Sequence, residues 1–252
     1  TWAETADWGP SYAVTDERLG APVPTPRQVF AIALNYAPHA AEAGFEPPAE
    51  PLVFTKFPTC ITGPVATVEL PPGNVDWEIE VVAVIGRGGH RISRVDAWDA
   101  VAGIAIGQDL SERLTQMKGT PPQFSMAKSF PGFGPYGPVA VTPDELADRD
   151  DLSFESRIGD EVIQHGRTSQ MIFPIDDLVA RLSAITPRPR SPMKRSVRCM
   201  FCSGIQRAPA MPPARLASAS RSASGRGRAT NSRIAQPRSL ATAAARVASS
   251  TA

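Results

Sequence analysis

The sequence predicts a β-rich α+β fold, and three observations carry that expectation. Strand-like runs outnumber helical patterns, and most of the helical patterns are short. No nucleotide loop accompanies them: Gly86-Arg87-Gly88-Gly89 follows a strand-like run, but neither dinucleotide nor P-loop spacing follows it. A doubly wound parallel sheet is therefore disfavoured.

In chain order, Ala21-Pro22-Val23-Pro24-Thr25-Pro26 reads as an extended connector. Gln28 to Leu34 is a buried-strand run, followed by a short helical turn with Pro38 near its start and Gly44 at its end. Leu52–Phe57 and Ala66–Leu70 are further strands. Asp76 to Gly86 holds a β-branched run bounded by Gly73 and Gly86, and reads as one central strand. Arg94 to Ala102 is expected to be a short helix. Val101 to Ser111 follows as a small-residue buried strand in which Gly103 and Gly107 signal close backbone approach or a bend. Residues 111–119 are helical in pattern and are expected to expose Arg113 and Gln116. Leu152–Ile158 and Glu161–Gln164 form a hairpin around Gly159-Asp160, and Ile175–Leu182 is an amphipathic helix behind Pro174.

The central strand carries the first chemistry. Residues two apart on a strand share a face, so Glu78 and Glu80 project together while Trp77 and Ile79 face the other way. Two adjacent carboxylates repel unless a positive charge lies between them. Oxygen-only ligands suit Mg²⁺, Mn²⁺ or Ca²⁺. An exposed edge strand with two glutamates on its polar face is the plainer alternative. Asp109, at the end of the run that could lie beside this strand, is the third candidate ligand. His39 and Glu42, three apart on a helical turn, could form a general-base pair or a surface ion pair.

Charge is distributed unevenly. The chain has 252 residues and a net charge of +1, but all 25 acidic residues precede Pro187. Thirteen of the 26 Lys/Arg follow it, in a segment rich in Ala, Ser, Arg and Pro whose one aromatic is Phe201. No stretch reaches the roughly 20 apolar residues of a membrane span. The first residues lack a secretory pattern, and three cysteines make no disulfide framework, so a cytoplasmic setting is expected. Cys199-Met200-Phe201-Cys202 lacks the further ligands of a zinc site, and the tail lacks interleaved aromatics for base stacking. Neither a membrane nor a nucleic acid is an expected partner.

Taken in order, six motifs resemble the fumarylacetoacetate hydrolase family. They are Asn35-Tyr36-x-x-His39-x-x-Glu42-x-Gly44, Phe54-x-Lys56, Asp76-Trp77-Glu78-x-Glu80 and Asp109-x-Ser111-x-Arg113-x-x-Gln116. Lys128-Ser129-Phe130 with Gly137-Pro138, and Thr168-x-x-Met171-Ile172-Phe173, complete the series across about residues 22–186. The resemblance is to the acylpyruvase and hydroxyheptadienedioate isomerase branch. It implies a mixed β-roll or barrel-like fold, a homodimer, and one divalent metal (Mg²⁺, Mn²⁺ or Ca²⁺) held by Glu78, Glu80 and Asp109. It implies that His39 and Glu42 activate water, that Lys128 stabilises oxyanion or enolate charge, and that Arg113, Gln116 and Tyr36 contact substrate. The implied reaction is hydrolytic C–C cleavage of a 2-oxo or acylpyruvate-type acid, with isomerisation or decarboxylation of a related acid as alternatives.

The family pattern stops at Thr186-Pro187-Arg188-Pro189-Arg190, where a Pro-Gly-Asp turn and a Thr-Gly-Thr-Pro substrate loop are expected. Arg113-Leu114 is a smaller departure from the usual Arg-Asp. An Ala/Arg/Ser/Pro-rich run beginning there is what a GC-rich coding sequence gives when read out of frame. The expected organisation is an N-terminal segment 1–21, an incomplete catalytic domain 22–186, and a tail 187–252 that is disordered or non-native, being highly charged with few groups to bury. An inactive remnant is the corresponding alternative to an active enzyme, and resequencing near codon 187 tests the frameshift.

Overall fold

In the computed structural model, the described residues are 19–42, 44–186, 198–203 and 206–207. Their elements are β1 (Gln28–Ala33), α1 (Ala37–Glu42), β2 (Leu52–Lys56), β3 (Ile61–Thr62), β4 (Val75–Asp76), β5 (Ile79–Ile85) and β6 (Val101–Gln108). There follow β7 (Ser111–Glu112), α2 (Arg113–Gln116), α3 (Phe124–Ala127), β8 (Gly134–Val141), β9 (Ser153–Ile158) and β10 (Glu161–Arg167). The series closes with α4 (Ile175–Ile185), β11 (Arg198–Ser203) and β12 (Gln206–Arg207). A seven-stranded mixed sheet has the order β2-β1-β11-β5-β6-β8-β3, beside a β12-β10-β9 sheet and a two-stranded β4-β7 ribbon. This is the β-rich α+β architecture that the sequence predicts.

The central strands read as continuous apolar runs because the sheet is covered on both faces. On β5, Ile79, Val81 and Ala83 pack with Ile104, Ile106, Phe173, Leu178 and Met200. Val82 and Val84, pointing the other way, pack with Val29, Ala31, Tyr136 and Phe201. α4 lays Ile175, Leu178 and Val179 on the first of these faces. Gly107 permits the close approach that the sequence suggests, since a Cβ there would meet Val82, Phe201 and Tyr136 at 2.9–3.0 Å. The connector is fastened by Tyr136, whose hydroxyl accepts from Val23 N at 2.8 Å and donates to Val23 O at 2.9 Å.

β11 changes the expected role of the tail. The composition after residue 187 predicts little to bury, yet Arg198–Ser203 runs parallel to β1 and antiparallel to β5, between them. Cys199, Met200 and Phe201 are each at most 1% exposed. The physical reason is local, because Cys-Met-Phe-Cys is the one stretch of the tail rich in buriable side chains. The boundary near 187, the segment 1–18, and the expected disorder of 208–252 lie outside the described residues.

Four local expectations are corrected. The single strand expected from Asp76 to Gly86 is interrupted at Trp77–Glu78, because Val75–Asp76 pairs with β7 whereas Ile79 onward pairs with β6. Residues 66–70 form no strand, and flanking Pro64, Pro71 and Pro72 remove ladder donors there. Residues 94–100 form no α-helix. Their bonds run three residues back, as from Ala97 N to Arg94 O at 3.2 Å, which closes 3₁₀-type turns. In 111–119 only Arg113–Gln116 is helical, and Gln116 is buried rather than exposed. No helix among the described residues is long and apolar enough to cross a membrane.

Candidate metal centre

The site forms where two strands change partners at the same level. The chain breaks between β4 and β5 at Trp77–Glu78, and opposite it between β6 and β7 at Asp109–Leu110. Asp109 N still donates to Glu78 O at 2.8 Å across this double interruption. Glu78, Glu80 and Asp109 thereby come together, each offering an oxygen within 4.8 Å of the others. Glu80 and Asp109 are fully buried, and the Glu78 side chain is 18% exposed. Three carboxylates converging at this double interruption, with only oxygen donors, fit a hard divalent cation.

Cations surround this cluster. Lys128 Nζ bonds Glu78 Oε2 at 2.6 Å, Asp109 Oδ2 at 2.8 Å and Ser111 Oγ at 2.7 Å. Lys56 Nζ bonds Asp109 Oδ1 at 2.5 Å and Phe133 O at 3.1 Å, and also Lys128 O. Arg113 bonds Glu78 Oε1 at 2.5 Å, Asp76 Oδ2 at 2.8 Å and Gln116 Oε1 at 2.7 Å. Burial works to raise the Glu78 carboxyl, but Lys128 and Arg113 overcome it and hold the group well below the usual carboxylate range. For Lys128, burial lowers its basicity, whereas Asp109 and Glu78 raise it and prevail, so the ammonium stays charged.

Glu112 secures the helix that carries Arg113 and Gln116. Its carboxylate caps α2, accepting from Leu114 N at 3.1 Å and Thr115 N at 2.7 Å, and also takes Asn74 N at 2.8 Å. The Thr115 hydrogen bond, opposed by burial and helped by these amides, lowers its pKa from 4.5 to about 2. A depressed carboxylate stabilises the fold above its unfolded pKa and loses that contribution as pH falls through the folded value. Melting temperatures measured from pH 5 to pH 2 are therefore expected to fall more shallowly in Glu112→Gln than in the unsubstituted chain.

The structure thus brings together Glu78, Glu80, Asp109, Lys128, Arg113 and Gln116. His39 and Glu42 lie apart from them in sequence on α1, His39 half-buried and Glu42 exposed. Tyr36 is 2% exposed in the core, its ring set edge-on to Phe154 at 5.6 Å. Asn35, at the entry to α1, fixes this segment. Its amide donates to Phe173 O at 3.0 Å and accepts from Phe173 N at 2.9 Å.

Sequence reasoning gave no role to Lys56, Asp76, Asn35 or Gln164. Asn35, Lys56 and Asp76 stand in the motifs quoted above without a role, and in the structure β2 buries Lys56 while Leu52 and Val53 are 49% and 44% exposed. A charged residue closing an apolar strand marks such an inversion only when its partner, here Asp109, is known.

A sequence model of the fumarylacetoacetate hydrolase C-terminal domain matches residues 28–190. The human mitochondrial oxaloacetate tautomerase FAHD2A is 41% identical over 165 residues, which are 65% of this chain and 52% of the human protein. The chain spans about half the length of the curated relatives it matches. The crystal structure of a provisionally assigned HpcE protein from Mycobacterium smegmatis superposes with a TM-score of 0.72 at 50% identity, covering 81% of this chain and 72% of that one. A fumarylpyruvate hydrolase from Pseudomonas aeruginosa, solved with Mn²⁺ and pyruvate, superposes with a TM-score of 0.61 at 28% identity, covering 73% and 81%. The order of motifs, the sheet and the extent of the match agree: the chain belongs to the fumarylacetoacetate hydrolase family.

Proposed function

We propose that this chain carries the site of a divalent-metal-dependent enzyme that acts on a small 2-oxo acid through proton transfer next to the keto group. The observation that carries this reading is the convergence of Glu78, Glu80 and Asp109 within 4.8 Å, with the Lys128 ammonium bonded to two of them. Glu78, Glu80 and Asp109 would hold the ion, Mg²⁺ or Mn²⁺, which when bound would polarise the keto group as a Lewis acid.

The charge balance supports an anionic substrate. Asp76, Glu78, Glu80 and Asp109 carry one more charge than Lys56, Lys128 and Arg113. A divalent ion would turn that deficit into one net positive charge, which the carboxylate of an oxo acid neutralises. Lys128 then lies where enolate charge develops, and a buried donor of this kind contributes on the order of 3–4 kcal/mol to a barrier. Arg113 and Gln116, already bonded to each other, present a fixed edge to the substrate. His39, oriented by Glu42, would move the proton.

Keto–enol tautomerisation is the leading reaction because the human relative at 41% identity is an oxaloacetate tautomerase. Hydrolytic C–C cleavage of an acylpyruvate is the second reading, favoured by the fumarylpyruvate hydrolase likeness. It asks His39 and Glu42 to activate water instead. The homodimer implied by the resemblance belongs to this proposal.

The test is turnover of oxaloacetate enol and of acylpyruvates by the purified chain with and without Mn²⁺. Metal-dependent loss of enol absorbance, abolished in Lys128→Ala, is expected. Metal binding without turnover of either class would contradict both readings.

A further inference from the structure

Beyond the ligands themselves, the backbone that presents Glu78 is held by a side chain from another sheet. β11 ends at Ser203, opposite Glu80, so the ladder on that side of β5 stops before Trp77–Glu78. Gln164 of β10 continues it with its amide. Its Nε2 donates to Trp77 O at 3.1 Å, and its Oε1 accepts from Ile79 N at 3.2 Å. These two bonds bracket Glu78, on whose other side the carbonyl is taken by Asp109 N at 2.8 Å. Ser156 Oγ also donates to Gln164 Oε1 at 3.1 Å, which fixes the amide's orientation. Gln164 is 3% exposed, and a shift of register between Val162 and Gln164 sets it opposite Ser156. Bulges often re-aim a side chain beside a functional site.

We propose that Gln164 is a positioning residue for the metal centre, acting through the backbone of Glu78. The inference rests on the metal-site reading above. At the double interruption Asp109 N holds the Glu78 carbonyl on one side, and the amide of Gln164 holds the flanking Trp77 and Ile79 backbone on the other. Gln164 thus helps set the backbone from which the Glu78 carboxylate reaches Lys128 and Arg113. Partners that orient a ligand in this way are worth about 10–100-fold in metal affinity.

The experiment is Mn²⁺ titration of the full chain, followed by the electron paramagnetic resonance signal of free Mn²⁺, for the unsubstituted protein, Gln164→Leu, Glu78→Gln and the double variant. Gln164→Leu is expected to bind Mn²⁺ about 10–100-fold more weakly. In the Glu78→Gln background the same substitution is expected to change the residual affinity little, because the carboxylate it positions is already gone. Full additivity of the two losses, or unchanged Mn²⁺ affinity in Gln164→Leu, would overturn the inference. Should Gln164→Leu not fold, Ser156→Ala keeps the amide and removes only its orienting hydroxyl. A several-fold loss of Mn²⁺ affinity there supports the inference, and an unchanged affinity overturns it. Absence of Mn²⁺ binding in the unsubstituted chain is a separate outcome, which would overturn the metal reading and this inference with it.

Discussion

A chain ending at Thr186 is expected to show no cooperative thermal transition. Such a chain lacks β11, which runs between β1 and β5 and is registered to both along its length. Its removal leaves two unpaired strand edges facing a one-strand gap, and every backbone donor and acceptor along them must find water inside a sheet covered on both faces. Cys199, Met200 and Phe201, all at most 1% exposed, leave with it. Truncating a buried phenylalanine alone costs about 3–5 kcal/mol, against a total stability of about 5–15 kcal/mol for a typical domain. Loss of the whole strand exceeds what such a domain can absorb. Phe201→Ala in the full chain isolates part of the effect and is expected to destabilise by that same ~3–5 kcal/mol. Calorimetry of both proteins checks this, and a truncated chain melting like the full one would show that β11 contributes nothing to the core.

Lys56→Met is expected to destabilise the metal-free protein by about 3–5 kcal/mol, as measured by urea unfolding. Lys56 and Asp109 are both 0% exposed in their side chains. Replacing the ammonium by a thioether of similar length preserves the packing and removes one of the two cations that bond Asp109. It also deprives Phe133 O and Lys128 O of a donor. A divalent ion bound beside Asp109 restores positive charge there, so Mn²⁺ is expected to raise the melting temperature more in Lys56→Met than in the unsubstituted chain. A loss below about 1 kcal/mol would place Lys56 among ordinary surface pairs.

How far the sequence could be read depends on whether each signal was local. The β-branched run of β5, the helix behind Pro174 and the hairpin at Gly159 all follow from composition, spacing and turn chemistry, and the structure has them. The convergence of Glu78, Glu80 and Asp109 was legible because strand periodicity places two of them side by side and the third closes a run that could lie beside them. The interruption at Trp77–Glu78 was not legible, because it arises from pairing with two different partners more than twenty residues away. Lys56 and Gln164 escaped for the same reason: a lysine closing an apolar strand and a glutamine inside one look solvent-facing until Asp109 and the Trp77–Ile79 backbone are placed beside them. At Arg198–Ser203 the composition of the tail misleads. Averaged over 66 residues it is basic and poor in aromatics, and that average hides Cys199-Met200-Phe201-Cys202, the apolar stretch within β11.

The most direct measurement is isothermal titration of the full-length, chelator-treated chain with Mn²⁺, repeated on Glu80→Ala and Asp109→Ala. Saturable binding near one ion per chain, lost in both variants while each still melts cooperatively, is the predicted result. Binding that persists in both variants, or none in an unsubstituted chain that is demonstrably folded, would contradict a metal centre built on Glu78, Glu80 and Asp109.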